Sequence, residues 1–207
     1  WIVDNGYWTI GSCRIKGFPF LIIMASSKKR LLQRMRVPLG FAFAILFLYF
    51  AAPTPVWLAT GGAIAVCGLL IRAWAAGHIV KYEKLATTGP YSHTRNPLYL
   101  GSFVMAVGFT IASGVWWLAL LSAGLFLGIY LPVMRVEEDD LRKRFGADFD
   151  DFAANVPLFL PRLTRWKKMD AGFDFQLYLK HREYQAAIGV LLGLAALVAK
   201  MLFLRSV

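Results

Sequence analysis

Apolar residues fall into long blocks parted by short polar or turn-rich breaks, with no polar face recurring inside them. Blocks that are apolar all round read as helices surrounded by lipid or by other helices. Five such blocks follow one another. The first runs from about Val37 to Ala52 and ends at Pro53-Thr54-Pro55, a turn signal. The second, about Val56 to Val80, carries Arg72 and His78 near its far end. The third starts near Leu98 and stops at Ser113-Gly114, the fourth goes from Val115 to about Met134, and the fifth from about Tyr184 to Leu204. The two-residue break between the third and fourth predicts a tight helical hairpin. The pattern therefore predicts an all-α fold: a polytopic membrane bundle of about five transmembrane helices with a polar, amphipathic segment on one side.

The polar stretches decide the orientation. With the basic run Lys28, Lys29, Arg30, Arg34 and Arg36 placed in the cytoplasm, the turns at 53–55 and 113–114 face outward and carry no charge. Residues 81–95 and 135–183 then face inward with nearly all remaining charges, Lys200 and Arg205 excepted. This bias predicts a cytoplasmic N-terminus and an outward C-terminus, in a membrane expected to be a prokaryotic inner membrane. Residues 1–23 mix Trp1, Asp4, Trp8, Cys13, Arg14 and Pro19 without period, and Met24 resembles a start. Residues 1–23 are thus expected to be a dispensable upstream or non-native extension, and 24–207 the membrane domain.

Composition supports the membrane reading: 58% of residues are hydrophobic, against about 45–50% in soluble domains. The net charge of +11 does not imply nucleic acid, because the basic residues flank the apolar blocks instead of forming one stripe. Cys67 lies inside a block, so no disulfide framework is expected beyond the lone Cys13. His78, His93 and His181 are scattered, and no metal-ligand spacing occurs.

Two polar stretches hold candidate chemistry. In "LATTGPYSHTRNPLYLG", Pro97 suits the first turn of a helix, whose N–H groups together with Arg95 make an anion site at the membrane surface. The plainer alternative is a loop whose Arg meets lipid phosphate and whose Tyr91 and Tyr99 anchor at the interface. In "RVEEDDLRKRFGADFDDF", Leu141, Phe145, Phe149 and Phe152 recur at helical spacing, which predicts an amphipathic surface helix. There Glu137 and Glu138 suit an ammonium group or a pair of ribose hydroxyls, or are simply a solvated charge run paired with Arg142, Lys143 and Arg144. Arg72 within a block is either functional or a snorkelling residue near the inner surface.

Taken together, Gly89-Pro90-Tyr91, Arg95-Asn96-Pro97-Leu98-Tyr99-Leu100-Gly101, Glu137-Glu138, Leu141, Phe145-Gly146, Val156-Pro157 and Pro161 resemble the isoprenylcysteine carboxyl methyltransferase and phospholipid methyltransferase superfamily. The family pattern has "GPY", "RHPxYxG", "EExxLxxxFGxxYxxY" and "VPxxxP", and the likeness spans about residues 68–163. Asn96 replaces the usual His, and Phe149 and Phe152 replace tyrosines. The resemblance implies S-adenosylmethionine as cofactor, held without a Rossmann loop at the cytosolic face, and a lipophilic or amphiphilic acceptor entering from the bilayer. It implies a cofactor site among Tyr91, Arg95, Asn96, Pro97, Tyr99, Leu100, Gly101, Glu137 and Glu138. Arg72 and Glu138 are the candidate catalytic residues, Arg72 as the group that orients the acceptor. A carboxylate, thiol or lipid amine all remain open as acceptor. The alternatives are a sterol-reductase-like oxidoreductase and a non-catalytic membrane scaffold or lipid-binding protein.

Overall fold

The computed structural model describes residues 40–79, 85–166 and 172–206, and the backbone of three short strands before them. The basic run 28–36, the expected start of the first block and residues 81–84 lie outside the described residues. Two compact units divide the chain, Trp1–Ala44 and Ile45–Val207.

In the first unit, β1 (Val3–Asp4), β2 (Tyr7–Ile10) and β3 (Cys13–Ile15) form an antiparallel meander in which Val3 pairs with Trp8 and Trp8 with Ile15. The aromatic and β-branched residues Val3, Tyr7, Trp8, Thr9, Ile10 and Ile15 favour extended backbone. A segment without helical period thus holds local β structure.

The rest is helical: α1 (Gly40–Phe50), α2 (Pro55–Ala76), a 3-10 turn (Gly89–Ser92), α3 (Pro97–Ser113), α4 (Trp117–Phe145), α5 (Ala147–Asn155), α6 (Phe175–Lys180) and α7 (Tyr184–Ser206). Among the described residues α2, α4 and α7 are long and apolar enough to cross a bilayer, while α1 and the 17-residue α3 are shorter apolar helices. The surfaces they present outward are apolar: Val56, Leu70, Leu120, Leu191 and Leu192 are all well exposed. Such a surface is stable only against hydrocarbon. The protein is a multi-pass membrane bundle.

Two expected boundaries shift. The second block ends as helix at Ala76, with Gly77 as its cap, so His78 lies beyond α2. The fourth does not end near Met134; α4 continues through the acidic run to Phe145 and stops at Gly146, whose φ of 52° is unfavourable for side chains with a Cβ. The single amphipathic helix expected over 135–152 is therefore the end of α4 and the separate α5. The apolar pattern stops at Met134, but Glu, Asp, Leu, Arg and Lys carry helical backbone onward without it.

Small residues set the central contact. Gly61, Ala65 and Gly68 on α2 meet Gly101, Gly108 and Ala112 on α3 so closely that a Cβ on Gly101 would lie 2.7 Å from the Gly68 carbonyl oxygen. Backbone-to-backbone approach of this kind supplies the dispersion contact that holds helices together in lipid. At one end of the bundle Gly114, at φ 69°, closes the expected α3–α4 hairpin, and the Ala52 N–H donates to the Ser113 carbonyl at 2.8 Å. At that end Lys200 of α7 donates to the carbonyls of Leu48 and Tyr49, at 2.5 and 2.6 Å, at the last turn of α1. Lys200 is one of the two cations that break the charge asymmetry, and its position satisfies two terminal carbonyls of a short helix. Replacing it by Met should destabilise the bundle by about 1–2 kcal/mol, the worth of charged hydrogen bonds at a helix terminus. Unfolding in bicelles would measure this, and an unchanged midpoint would dismiss the cap.

Candidate active site

The opposite end of the bundle gathers the C-terminus of α2, the start of α3, the end of α4 and the start of α7. Their polar groups are organised by a strap, residues 156–166, that crosses the 89–97 segment. The Arg95 N–H donates to the Pro157 carbonyl at 2.9 Å, and the Arg162 N–H to the His93 carbonyl at 2.9 Å. The Thr94 hydroxyl donates to the Phe159 carbonyl at 2.9 Å, and the Asn96 side-chain amide to Leu158 at 3.0 Å. Beneath the strap lies a core of Phe149, Phe152 and Val156, packed with Leu85, Leu141, Phe145 and Trp166. The amphipathic face expected of this region exists, and it is this core.

Arg95 and Glu138 face each other. Arg95 Nε and Glu138 Oε1 are 3.0 Å apart with side chains only 14% and 15% exposed. Neither atom has an aligned hydrogen bond, so the contact is an ion pair without directional bonding. Burial pulls the Arg95 guanidinium below its usual range, against the opposing effect of Glu138. Beside them the Tyr99 hydroxyl donates to Glu137 at 2.9 Å, and its ring packs edge-on against Tyr130.

Tyr91 is buried, and its hydroxyl meets no hydrogen-bond partner among the described residues. Burial pushes its pKa up, with Glu183 and Glu137 adding to the rise. It stays a neutral phenol with a donor to give. An orphaned buried donor is uncommon in native structures and asks for a ligand.

Arg72 is not an open cation. Its Nε and NH2 pair with both oxygens of Glu183, at 3.0 and 2.8 Å, and its NH1 donates to Ser102 Oγ at 2.5 Å. Glu183, at the entrance to α7, escaped the sequence reading; an acid at the mouth of an apolar block, on the same side of the bundle as Arg72, was the available signal.

The structure thus brings Tyr91, Arg95, Tyr99, Glu137 and Glu138 to one end of the bundle, with Arg72 tied to Glu183 beside Tyr91. It gives three of the candidates other duties. Gly101 lies in the α2–α3 seam against Arg72 and Gly68, the Asn96 amide holds the strap, and Pro97 is buried at the first turn of α3. Pro97 and Leu100 also line a cavity of about 330 Å³ with Ile71, Trp74, Pro90, His93, Thr94 and Pro161. That volume lies within the range of small-molecule sites.

The membrane bundle thus carries the Arg95–Glu138 pair at one end and, along the same 89–97 segment, an apolar cavity. Residues 56–148, from the start of α2 into α5, match the family model for phospholipid methyltransferase. The chain is similar to the nickel-cobalt-cadmium resistance protein NccN of Alcaligenes xylosoxydans xylosoxydans, 41% identical over 46% of each chain. It is also similar to the cobalt-zinc-cadmium resistance protein CzcN of Cupriavidus metallidurans, 32% identical over 46% of this chain and 45% of that one. The matches span about half the length of these relatives. No solved structure matches the chain.

Proposed function

We propose that the protein transfers a methyl group from S-adenosylmethionine to a lipophilic or amphiphilic acceptor at the cytosolic face of the membrane. The observation that carries this reading is the Arg95–Glu138 pair: two half-buried opposite charges, 3.0 Å apart without aligned bonds, inside the matched segment. An amino-acid moiety complements such a pair, its carboxylate to Arg95 and its ammonium to Glu138. Tyr91 would spend its unused donor on the bound molecule, and Glu137, held by Tyr99, would receive hydroxyl groups. When bound, the cofactor supplies an electrophilic methyl group on a sulfonium. The chain's contribution is alignment and exclusion of water, since in-line displacement needs positioning more than a strong acid. The names of the two relatives concern resistance to metal ions; the reading offered for this chain is of its chemistry and rests on the matched segment and its site.

Calorimetry on the purified protein in bilayers should show S-adenosylmethionine binding and no binding of a nicotinamide nucleotide. The reverse result would replace the reading with a reductase, and binding of neither would favour a scaffold. The cavity makes a second expectation. A buried methylene contributes about 0.8 kcal/mol, so kcat/KM should rise roughly fourfold per methylene, at about 1.4 kcal/mol per decade, as the tail lengthens against the apolar wall and into lipid. Equal turnover of a short, fully soluble acceptor would rule out entry from the bilayer.

A further inference from the structure

We infer that the cavity receives the acceptor's head group and that His93 is the base that takes its proton. The inference rests on the methyltransferase reading and adds to it a catalytic residue and a constraint on the acceptor. His93 Nδ1 lies 2.8 Å from the Arg162 carbonyl oxygen. A carbonyl only accepts, so Nδ1 donates, and the neutral ring carries its lone pair on Nε2. Among the described residues Nε2 has no hydrogen-bond partner, and it is not a sealed, orphaned atom like the Tyr91 hydroxyl. His93 lines the cavity together with Ile71, Trp74, Leu100 and prolines. Of the other polar side chains in the wall, the Thr94 hydroxyl is committed to Phe159, and Trp74 brings only an indole N–H, a donor with no basic lone pair. His93 is the one basic side chain among the residues of this apolar wall, which suits a donor head on a hydrophobic body. The strap fixes the ring twice, through the Nδ1 bond and through the Arg162 N–H to the His93 carbonyl. The Trp74 ring stands 6.5 Å away, centroid to centroid.

The step balances. An acceptor head bearing a proton, an ammonium or a thiol, gives it to Nε2. The nitrogen or sulfur lone pair so released forms the new bond to the methyl carbon, the carbon–sulfur bond of the sulfonium breaks, and its electron pair stays on sulfur. His93 leaves the step as imidazolium and returns its proton to water. A carboxylate head would need no such base. Among the described residues, the charged or titratable groups of the elements packed there are His78 just past α2, Tyr91 and Arg95 on the segment of His93, and Arg162 and Arg165 on the strap.

The test uses the full chain in bilayers with three probes of equal length: dodecylamine, dodecanethiol and laurate. His93→Asn keeps a side-chain N–H for the Arg162 carbonyl but has no lone pair where Nε2 stands. It should leave stability and S-adenosylmethionine binding unchanged and lower kcat for the amine or thiol by roughly 10²–10⁴. In protein without cofactor, a nitrogen-15 signal that His93→Asn removes should move when dodecylamine or dodecanethiol is added. Activity of His93→Asn within threefold of the parent on the best probe, or an unmoved His93 signal, overturns the inference. So does a parent that methylates laurate best. Failure to bind S-adenosylmethionine at all would instead strike the methyltransferase reading, while the His93 signal still reports whether the cavity takes the head group.

Discussion

Glu183→Ala is expected to cost the folded bundle about 2–4 kcal/mol and to do so by stranding Arg72. Breaking a buried ion pair by removing one partner typically costs about 3–5 kcal/mol, because the remaining charge is left uncompensated. The Arg72 side chain is 22% exposed and Glu183 11%, which lowers the figure somewhat. Arg72 would keep Ser102 and the Leu98 carbonyl, neither of which neutralises a guanidinium. Replacing both partners by apolar residues, Arg72→Met with Glu183→Leu, should recover most of the loss, since no charge then remains to solvate. Equilibrium unfolding in bicelles reads the cycle. Additive single costs would mean the two residues do not interact. The double variant also divides two duties of Arg72: folded but inactive protein makes it a residue that orients the acceptor, whereas active protein leaves it as the clasp between α2, α3 and α7.

The helices were legible because bilayer solvation writes them as blocks, and their ends were not. Met134 closes the apolar pattern, yet α4 runs on to Phe145 because helix propensity outlasts hydrophobicity there. The glycine that stops it, Gly146, sits inside a sequence motif, which hides its role as a break. Arg95, Glu137 and Glu138 stood out as charges beside a membrane. That Arg95 faces Glu138 while Tyr99 takes Glu137 depends on how α4 is rotated, which two adjacent acids cannot encode. The strap was visible only as two prolines, because it works through the carbonyls of Pro157, Leu158, Phe159 and Arg162, which have no residue signature. For the same reason His93 passed as one of three scattered histidines. Its tautomer is set by the carbonyl of a residue sixty-nine positions away.

The sharpest expectation for the cofactor site comes from removing each half of its ion pair in turn. Arg95→Ala and Glu138→Ala should each weaken S-adenosylmethionine binding roughly tenfold to a hundredfold. Each loses one charge-assisted contact worth about 1.5–3 kcal/mol, at about 1.4 kcal/mol per decade. In the ligand-free protein the pair neutralises itself, so each single variant also leaves a buried charge and loses stability. Binding must therefore be compared at matched folded fractions. The conservative variants separate the two effects. Glu138→Gln retains volume and hydrogen-bonding capacity but carries no charge for an ammonium, and Arg95→Lys keeps charge but loses the planar fork that grips a carboxylate. Both should remain folded and still bind weakly. A double variant, Arg95→Gln with Glu138→Gln, has no stranded charge, so its stability should exceed that of either alanine variant while its affinity falls below both. If that double variant binds S-adenosylmethionine as the parent does, Arg95 and Glu138 are a structural tie between α4 and the 89–97 segment, and the cofactor lies elsewhere.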